Sequence, residues 1–174
     1  MKATKIQQLT RTALLLALCI ATQYLIKDQY ITGSVVNAIL ILTTLFVGLP
    51  WGLSIAVISP VFAMLAGVAP VMVAVPLLMV FVALGNAIMV LSVNFLKGKK
   101  LPVGLVLGTI CKGGFLFLTS RYIILTFFAE SLKGPQQDAI RLMFATPQFI
   151  TAAIGSALAF SIYMILKNTL LKKS

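Results

Sequence analysis

Residues Gly108–Leu125 read GTICKGGFLFLTSRYIIL, an apolar run interrupted by two basic side chains, Lys112 and Arg121. No acidic residue lies within it. A hydrocarbon core about 30 Å thick takes about 20 helical residues to cross, so this run predicts the body of a transmembrane helix. Because charge is costly inside a membrane, the two cations raise the question of what they contact.

The composition of the whole chain also indicates a membrane protein. Of its 174 residues, 60% are apolar and only 10% are charged. Soluble domains carry roughly 45–50% apolar and about 25% charged residues. No hydrophilic block is long enough to form a soluble domain, and the apolar runs are too continuous for barrel strands. We therefore predict an all-α integral membrane protein with a single domain, residues 1–174.

Six apolar segments are candidates for transmembrane helices. The second and third are separated only by Pro50 and Trp51, which predicts a tight helical hairpin. The fourth contains Pro76, so its regular helix is expected to begin near that proline. The sixth opens with Thr146 and Pro147, a capping hydroxyl followed by proline at the first helical position. The predicted spans are residues 9–26, 35–49, 52–67, 71–95, 103–128 and 147–166.

The distribution of basic residues predicts how these spans are oriented. Six spans place three basic groups on one side, which are Lys2, Lys5 and Arg11, then Lys97, Lys99 and Lys100, then Lys167, Lys172 and Lys173. By the positive-inside rule this side is cytoplasmic, so both termini are predicted to be cytoplasmic. The loops on the other side carry basic and acidic residues in equal number. One of them, residues 129–146, is expected to form a short amphipathic helix after Gly134 and Pro135.

The first segment has the basic start and apolar core of a signal peptide. The apolar run continues to Gln23 and Tyr24, however, and further apolar segments follow. We interpret it as an uncleaved transmembrane helix.

The residue types that are missing exclude several functions. The chain has no histidine and only three acidic residues, which leaves almost nothing for zinc binding, histidine-based catalysis or paired carboxylates. Cys19 and Cys111 lie in separate apolar segments and are expected to be small buried residues. We predict no enzyme, no metal site and no cofactor in this chain. The net charge of +11 reflects loop asymmetry and not a nucleic-acid partner.

The two cations of the opening run differ in predicted depth. Counting about 1.5 Å per residue from Val103 places Lys112 about 14 Å along the span and Arg121 about 27 Å along it. An ionisable residue at the midplane indicates a functional site, whereas Arg121 can also snorkel to the outer interface. Nine positions put the two side chains half a turn out of phase. Gly113–Gly114 between them offers a place where the helix can kink and change that phase.

Other polar side chains are predicted near the outer half of the bundle. Asn86, near the middle of the fourth span, is either a helix–helix clasp or a ligand contact. We expect an external ligand with a carboxylate, phosphate or polarised carbonyls to pair with the cations, because no carboxylate is predicted within any span. The candidate binding residues are Lys112, Arg121, Asn86, Gln148, Thr151, Tyr122 and Asn37.

Ala13, Ala17 and Ala21 recur every four residues along the first span. This spacing puts small side chains on one helix face, where another helix can approach closely. Two interpretations are open, ordinary packing inside the bundle and a docking face for a partner protein.

The order of these features resembles the substrate-binding S components of energy-coupling factor (ECF) transporters. The resemblance covers nearly the whole chain and rests on the alanine-spaced first helix, GN in the fourth span, CKGGFLFL in the fifth and TPQFITAAIGSALA opening the sixth. It implies a subunit in a prokaryotic cell membrane that binds a vitamin or related micronutrient at an outward-facing site. That site is built mainly from the last three helices and is gated here by the loops Lys27–Ser34 and Gly67–Val75.

The resemblance also implies partners. The alanine face of the first helix would dock on a transmembrane coupling subunit that carries two ATPase subunits, and toppling of the S component would deliver the solute inward. This chain has no phosphate-binding loop, which agrees with ATP hydrolysis in partner subunits. The cation excess favours an anionic or carbonyl-rich substrate, such as pantothenate, biotin or a nicotinate-like acid, over a cationic thiazolium.

Two other functions fit a membrane protein of this size. One is a scaffold that docks a partner through Ala13–Ala21 and binds no solute, in which Lys112 and Asn86 satisfy each other or backbone carbonyls. The other is an autonomous permease or channel, which would transport solute without ATPase subunits.

Overall fold

The computed structural model describes residues 4–171, and this range contains helices and no strand. Lys2, Lys172 and Lys173, which contribute to the predicted topology, lie outside the described residues. A 3-10 turn at Gly98–Lys100 precedes α6, a π-helix at Thr119–Ile124 follows it, and a second 3-10 turn lies at Ala129–Ser131. The α-helices are α1 (Lys5–Leu25), α2 (Gln29–Phe46), α3 (Leu49–Leu65), α4 (Pro70–Ala74), α5 (Leu77–Phe95), α6 (Leu101–Leu118), α7 (Leu125–Phe127), α8 (Gly134–Met143) and α9 (Thr146–Leu171).

Four helical segments are long and apolar enough to cross a membrane, judged by length and composition. They are Gln29–Phe46, Leu77–Phe95, Gly98–Phe127 and Gly134–Thr169. Leu49–Leu65 is apolar but shorter, and α1 has a polar first half that carries Lys5 and Arg11. The chain is therefore an all-helical protein with membrane-spanning helices, while the count of six spans and the cytoplasmic location of both ends remain predictions.

Proline and glycine mark where several helices begin. The turn of the predicted hairpin lies at Val47 and Gly48 and not at Pro50 and Trp51, which belong to the first turn of α3. Gly48 has φ of 127°, a conformation that favours glycine, and proline is well suited to the first turn of a helix because its φ is already helical. As expected, α5 begins directly after Pro76, and the short α4 precedes it.

The two helix predictions at the end of the chain are also confirmed. The amphipathic α8 begins at Gly134, and α9 begins at Thr146.

The long helices pack around a shared centre. α2 lies along α9 over most of its length, α5 packs between α3 and α6, and α6 also contacts α9. One apolar cluster joins α4, α5, α6 and α8 around Leu116 and Phe144, and a second joins α2, α5, α6 and α9 around Ile41 and Leu105. Lys112 lies on α6 between Leu105 and Leu116, so a buried cation separates the two apolar regions.

Candidate functional site

A cavity of about 180 Å³ lies inside the bundle beneath the C-terminal end of α8. Its wall is made by α1, α2, α3, α4, α5, α6, α9 and the end of α8, together with residues of the α1–α2 and α3–α4 connections. Apolar side chains make most of this wall, and a small number of polar groups converge on it. This combination is typical of a small-molecule site, in which polar groups orient a ligand inside an apolar cavity.

Three helices bring polar side chains together at the buried side of the cavity. Lys112 Nζ donates to Asn37 Oδ1 at 2.5 Å and to Asn86 Oδ1 at 2.7 Å. Asn86 Nδ2 donates in turn to the Ala56 carbonyl at 3.4 Å. All three side chains are buried, with exposed fractions of 4% for Lys112 and 2% for each asparagine. Lys112 thus joins α6 to α2 and α5 through neutral amide acceptors.

The charge of this site is not balanced within the described residues. Lys112 and Lys27 both line the cavity, Lys27 at its exposed side, and no acidic side chain does. The one ion pair in residues 4–171 joins Arg141 and Asp138 at 3.8 Å on the surface. Because an ammonium group has three donors and the asparagines take two, Lys112 retains one N–H for a further acceptor. A ligand anion would supply both that acceptor and the missing negative charge.

Close helix packing positions the asparagine on α2. A Cβ atom on Gly155 of α9 would lie 2.5 Å from Asn37 Cβ and 2.6 Å from the Ser34 carbonyl oxygen. Real Cβ atoms essentially never approach this closely. The absence of a side chain at Gly155 therefore allows α9 to approach α2 at the level of Asn37.

A second polar cluster joins α1 to α3 at the cavity wall. Gln23 Nε2 donates to Ser59 Oγ at 2.8 Å and to Cys19 Sγ at 3.2 Å, and Cys19 Sγ lies 3.4 Å from Ser59 Oγ. Gln23 and Ser59 both line the cavity, whereas Cys19 is completely buried behind them. Sequence reasoning missed this cluster. The available signal was a polar side chain within each of two apolar segments, Gln23 in the first and Ser59 in the third.

Two glutamines hold the cover of the cavity at one carbonyl. Gln29 Nε2 on α2 and Gln148 Nε2 on α9 donate to the Met143 carbonyl at 2.9 Å and 3.0 Å. Met143 ends α8, and the next residue, Phe144, is buried and lines the cavity. These bonds fix the end of the amphipathic helix over the cavity and satisfy a carbonyl that the end of α8 leaves without a helical partner.

Comparison with protein-family models matches residues 7–167 to the ECF transporter, substrate-specific component. The chain belongs to this family. Neither the curated proteins nor the solved structures that were compared with the chain give a significant match. This S component is therefore a substrate-specific subunit of an ECF transporter, embedded in a membrane, and members of the family are substrate-binding subunits and not enzymes.

Five of the seven predicted binding residues of the S component line one cavity: Lys112, Asn86, Asn37, Gln148 and Thr151. Thr151 is buried, and its hydroxyl donates to the Gln148 carbonyl at 3.3 Å. Arg121 and Tyr122 lie outside the cavity, and both are exposed on the bundle surface.

The helix phase explains where Arg121 lies. α6 is regular through Gly113 and Gly114, so the kink for which these glycines offer a place does not occur there. The departure from α-helix is instead the π-helix Thr119–Ile124, which contains Arg121 itself. Regular helix from Lys112 to Leu118 supplies most of the rotation between the two residues, and Arg121 lies on the exposed side of the segment whereas Lys112 is buried.

The three alanines of α1 lie on the outer face of the S component. Ala13, Ala17 and Ala21 are exposed, whereas the buried residues of α1 are Thr12, Cys19, Thr22 and Gln23. The alanines therefore do not pack inside the bundle of this chain. This exposed surface is the one predicted as a docking face for a partner.

The cysteines and acidic residues form no metal site among the described residues. No group of three His, Cys, Asp or Glu side chains there is close enough to hold an ion. Cys19 is buried as expected, whereas Cys111 is exposed on the outside of α6 and the expectation of burial is wrong for it.

Proposed function

We propose that this S component captures a water-soluble vitamin or a related micronutrient from outside a prokaryotic cell. A coupling subunit and two ATPase subunits would then deliver the solute through the plasma membrane. The observation that carries the proposal is a cavity inside the bundle in which Lys112 contacts neutral amides alone. The proposal includes no cofactor in this chain.

The chemistry of the cavity favours an anionic or carbonyl-rich solute. Lys112 has a free N–H, and Asn37 Nδ2 donates to no side chain or carbonyl among the described residues. Two donors at one place match the two oxygens of a carboxylate, and hydrogen bonds to an ionised acceptor are stronger than neutral ones. Lys27 at the exposed side of the cavity adds positive charge along the entry route.

A thermal-shift experiment tests this function. The purified full chain is heated in detergent with pantothenate, biotin, nicotinate or thiamine, of which the first three are carboxylates and the fourth is a cation. A solute that binds only the folded state stabilises it by about 2.7 kcal/mol at roughly 100 times its Kd. We expect at least one acid to raise the melting temperature and thiamine to leave it unchanged. Stabilisation by thiamine alone would contradict the anionic solute.

The same experiment separates the two alternative functions. If no compound in a broad panel stabilises the protein while a partner protein binds it firmly, the chain is a scaffold. If the isolated chain in sealed vesicles takes up the stabilising solute without ATPase subunits, it is a permease. The proposed function expects binding by the isolated chain and no uptake.

Docking through α1 is the second part of the proposal, and the exposure of all three alanines supports it. A bulky side chain at Ala17 would prevent close approach of a partner helix. We expect Ala17→Trp to abolish copurification with a coexpressed coupling subunit and to leave solute affinity unchanged. Ala153→Trp is the matched control, because Ala153 is an exposed alanine on α9. Equal effects of the two substitutions would mean that α1 is not a specific docking face.

A further inference from the structure

Gln23 and Ser59 are polar residues whose burial inside apolar helices calls for an explanation. Their exposed fractions are 4% and 2%, and both belong to the cavity wall. The other buried hydroxyls of these helices are satisfied locally. Thr22 donates to the Leu18 carbonyl at 2.8 Å, and Thr12 donates to the Gln8 carbonyl at 2.9 Å. Ser59 makes no such bond to its own helix among the described contacts.

The hydrogen-bonding capacity of this pair is only partly used. A side-chain amide offers two N–H donors and a carbonyl acceptor, and a hydroxyl offers one donor and two acceptor positions. Within the described residues, Gln23 Nε2 donates to Ser59 Oγ and Cys19 Sγ. Ser59 Oγ is the acceptor in its contacts with Gln23 and Cys19. Gln23 Oε1 therefore accepts no hydrogen bond, and the hydroxyl proton of Ser59 has no acceptor.

These unused groups are accessible from the cavity. Among the described residues, no side-chain nitrogen or oxygen that is completely buried lacks a hydrogen-bond partner. Since Gln23 Oε1 has no partner, it must reach the open space that its residue lines. An acceptor and a donor thus lie side by side at the cavity wall on α1 and α3.

The simpler explanation is that the pair only holds α1 against α3, and this accounts for the hydrogen bond between Gln23 and Ser59. The contact from Gln23 Nε2 to Ser59 Oγ is enough to join the two helices. It does not explain why the carbonyl end of the amide is left at the cavity wall without a protein partner. A ligand that bonds to both groups would use this free hydrogen-bonding capacity.

We propose that Gln23 and Ser59 form a second binding subsite, which receives a neutral group that is both donor and acceptor. Carboxamides, ureido groups and hydroxyls have this chemistry. The inference rests on the proposed function, in which Lys112 and Asn37 bind the carboxylate. The substrate class is then a small carboxylate that carries an amide, ureido or hydroxyl group away from its acid end.

Four acids test the second subsite on the purified full chain. Pantothenate and biotin have the neutral group, whereas nicotinate and octanoate lack it. We expect pantothenate or biotin to bind at least about tenfold more tightly than either simple acid, as one or two additional hydrogen bonds allow. Equal binding of octanoate or nicotinate overturns the second subsite and leaves solute capture intact. If none of the four acids binds, the anionic-solute function itself fails together with this inference.

Two substitutions test the residues with the acid that binds more tightly. Ser59→Ala and Gln23→Leu should each raise its Kd about tenfold and leave the Kd of octanoate unchanged. Thr22→Val is the control, because Thr22 is a buried residue next to Gln23 that bonds to its own helix and does not line the cavity.

The melting temperature without solute separates a binding role from a structural one. A clasp alone would lower this temperature and leave the affinity of the folded protein unchanged. Should Gln23→Leu fail to fold, Ser59→Ala still decides the question. Wild-type affinity for the preferred acid in Ser59→Ala would overturn the inference.

Discussion

Lys112 and Arg121 lie nine residues apart on one continuous helical segment and have opposite environments. Lys112 is 4% exposed and contacts Asn37 and Asn86 from two other helices. Arg121 is exposed, lies in the π-helix, and makes no side-chain hydrogen bond or ion pair with the described residues. Two cations that look equally unusual in an apolar run therefore differ in their contacts, because only one of them faces the neighbouring helices.

The two cations show how the protein offsets the free-energy cost of placing a charge in a membrane. The amides around Lys112 replace part of the hydration that its ammonium group loses on burial. No carboxylate lines the cavity among the described residues. The anionic solute proposed above would supply the compensating charge. Arg121 needs no such partner, because an exposed side chain at the end of a membrane helix can extend toward polar surroundings.

Replacing Lys112 should have the largest effect. In Lys112→Met the similar volume preserves packing, but the ligand loses its cationic contact. We expect the Kd of the preferred acid to rise roughly thirtyfold or more, equivalent to about 2 kcal/mol, which is typical when one partner of a buried charged contact is removed. Isothermal titration of the purified variant measures this. Lys97→Met is the matched control, since Lys97 is exposed and bonds to Asn94. Wild-type affinity in a folded Lys112→Met protein would refute the charge argument.

The two glycines beside Lys112 should differ from each other. A Cβ atom on Gly113 would lie 2.5 Å from the Phe149 ring, whereas one on Gly114 would meet nothing within 4 Å. We expect Gly113→Ala to destabilise the protein by about 1–3 kcal/mol through overpacking. Gly114→Ala should be neutral or stabilise it by about 0.5–1 kcal/mol, because alanine is the better helix former.

Thermal unfolding in detergent measures both glycine variants under identical conditions. The solute affinity of Gly113→Ala should fall as well, since Phe149 or α6 has to move next to Lys112. If both variants melt at the same temperature, the close contact between α6 and α9 at Gly113 does not contribute to stability.

Replacing Arg121 should have the smallest effect. Arg121→Gln removes the charge from an exposed side chain outside the cavity. We expect the Kd of the preferred acid to stay within about twofold of wild type, since exposed charges are screened and contribute little. A loss as large as that of Lys112→Met would mean that Arg121 reaches the solute, and the contrast between the two cations would fail.

Sequence reasoning located the helices better than the turns between them. Pro76 and Gly134 mark helix starts that were predicted, because proline and glycine act on the local backbone. The hairpin turn was misplaced by a few residues, because proline belongs as readily to the first turn of a helix as to a loop. The conformation of Gly48, which makes the actual turn, has no signal beyond the glycine itself.

The candidate site was predicted in part for a similar reason. Lys112, Asn37 and Asn86 stand out because polar side chains are rare and costly in apolar helices. Gln23 and Ser59 are also polar residues in apolar helices, but they indicate a binding site less strongly. Serine and glutamine often bond to their own helix or cap it. Their roles depend on α1 lying against α3, which no local pattern of residues determines.

The sequence by itself determined that this protein is helical and membrane-embedded, that it lacks the residues for common catalysis, and that Lys112 and Arg121 would be half a turn out of phase on a straight helix. Those conclusions follow from composition, apolar length and helical periodicity, which act over a few turns. Only the tertiary structure decided that Lys112 meets Asn37 and Asn86, that Arg121 lies outside the cavity, and that Gln23 faces Ser59. These contacts join residues far apart in the chain, and close packing between whole helices sets their distances.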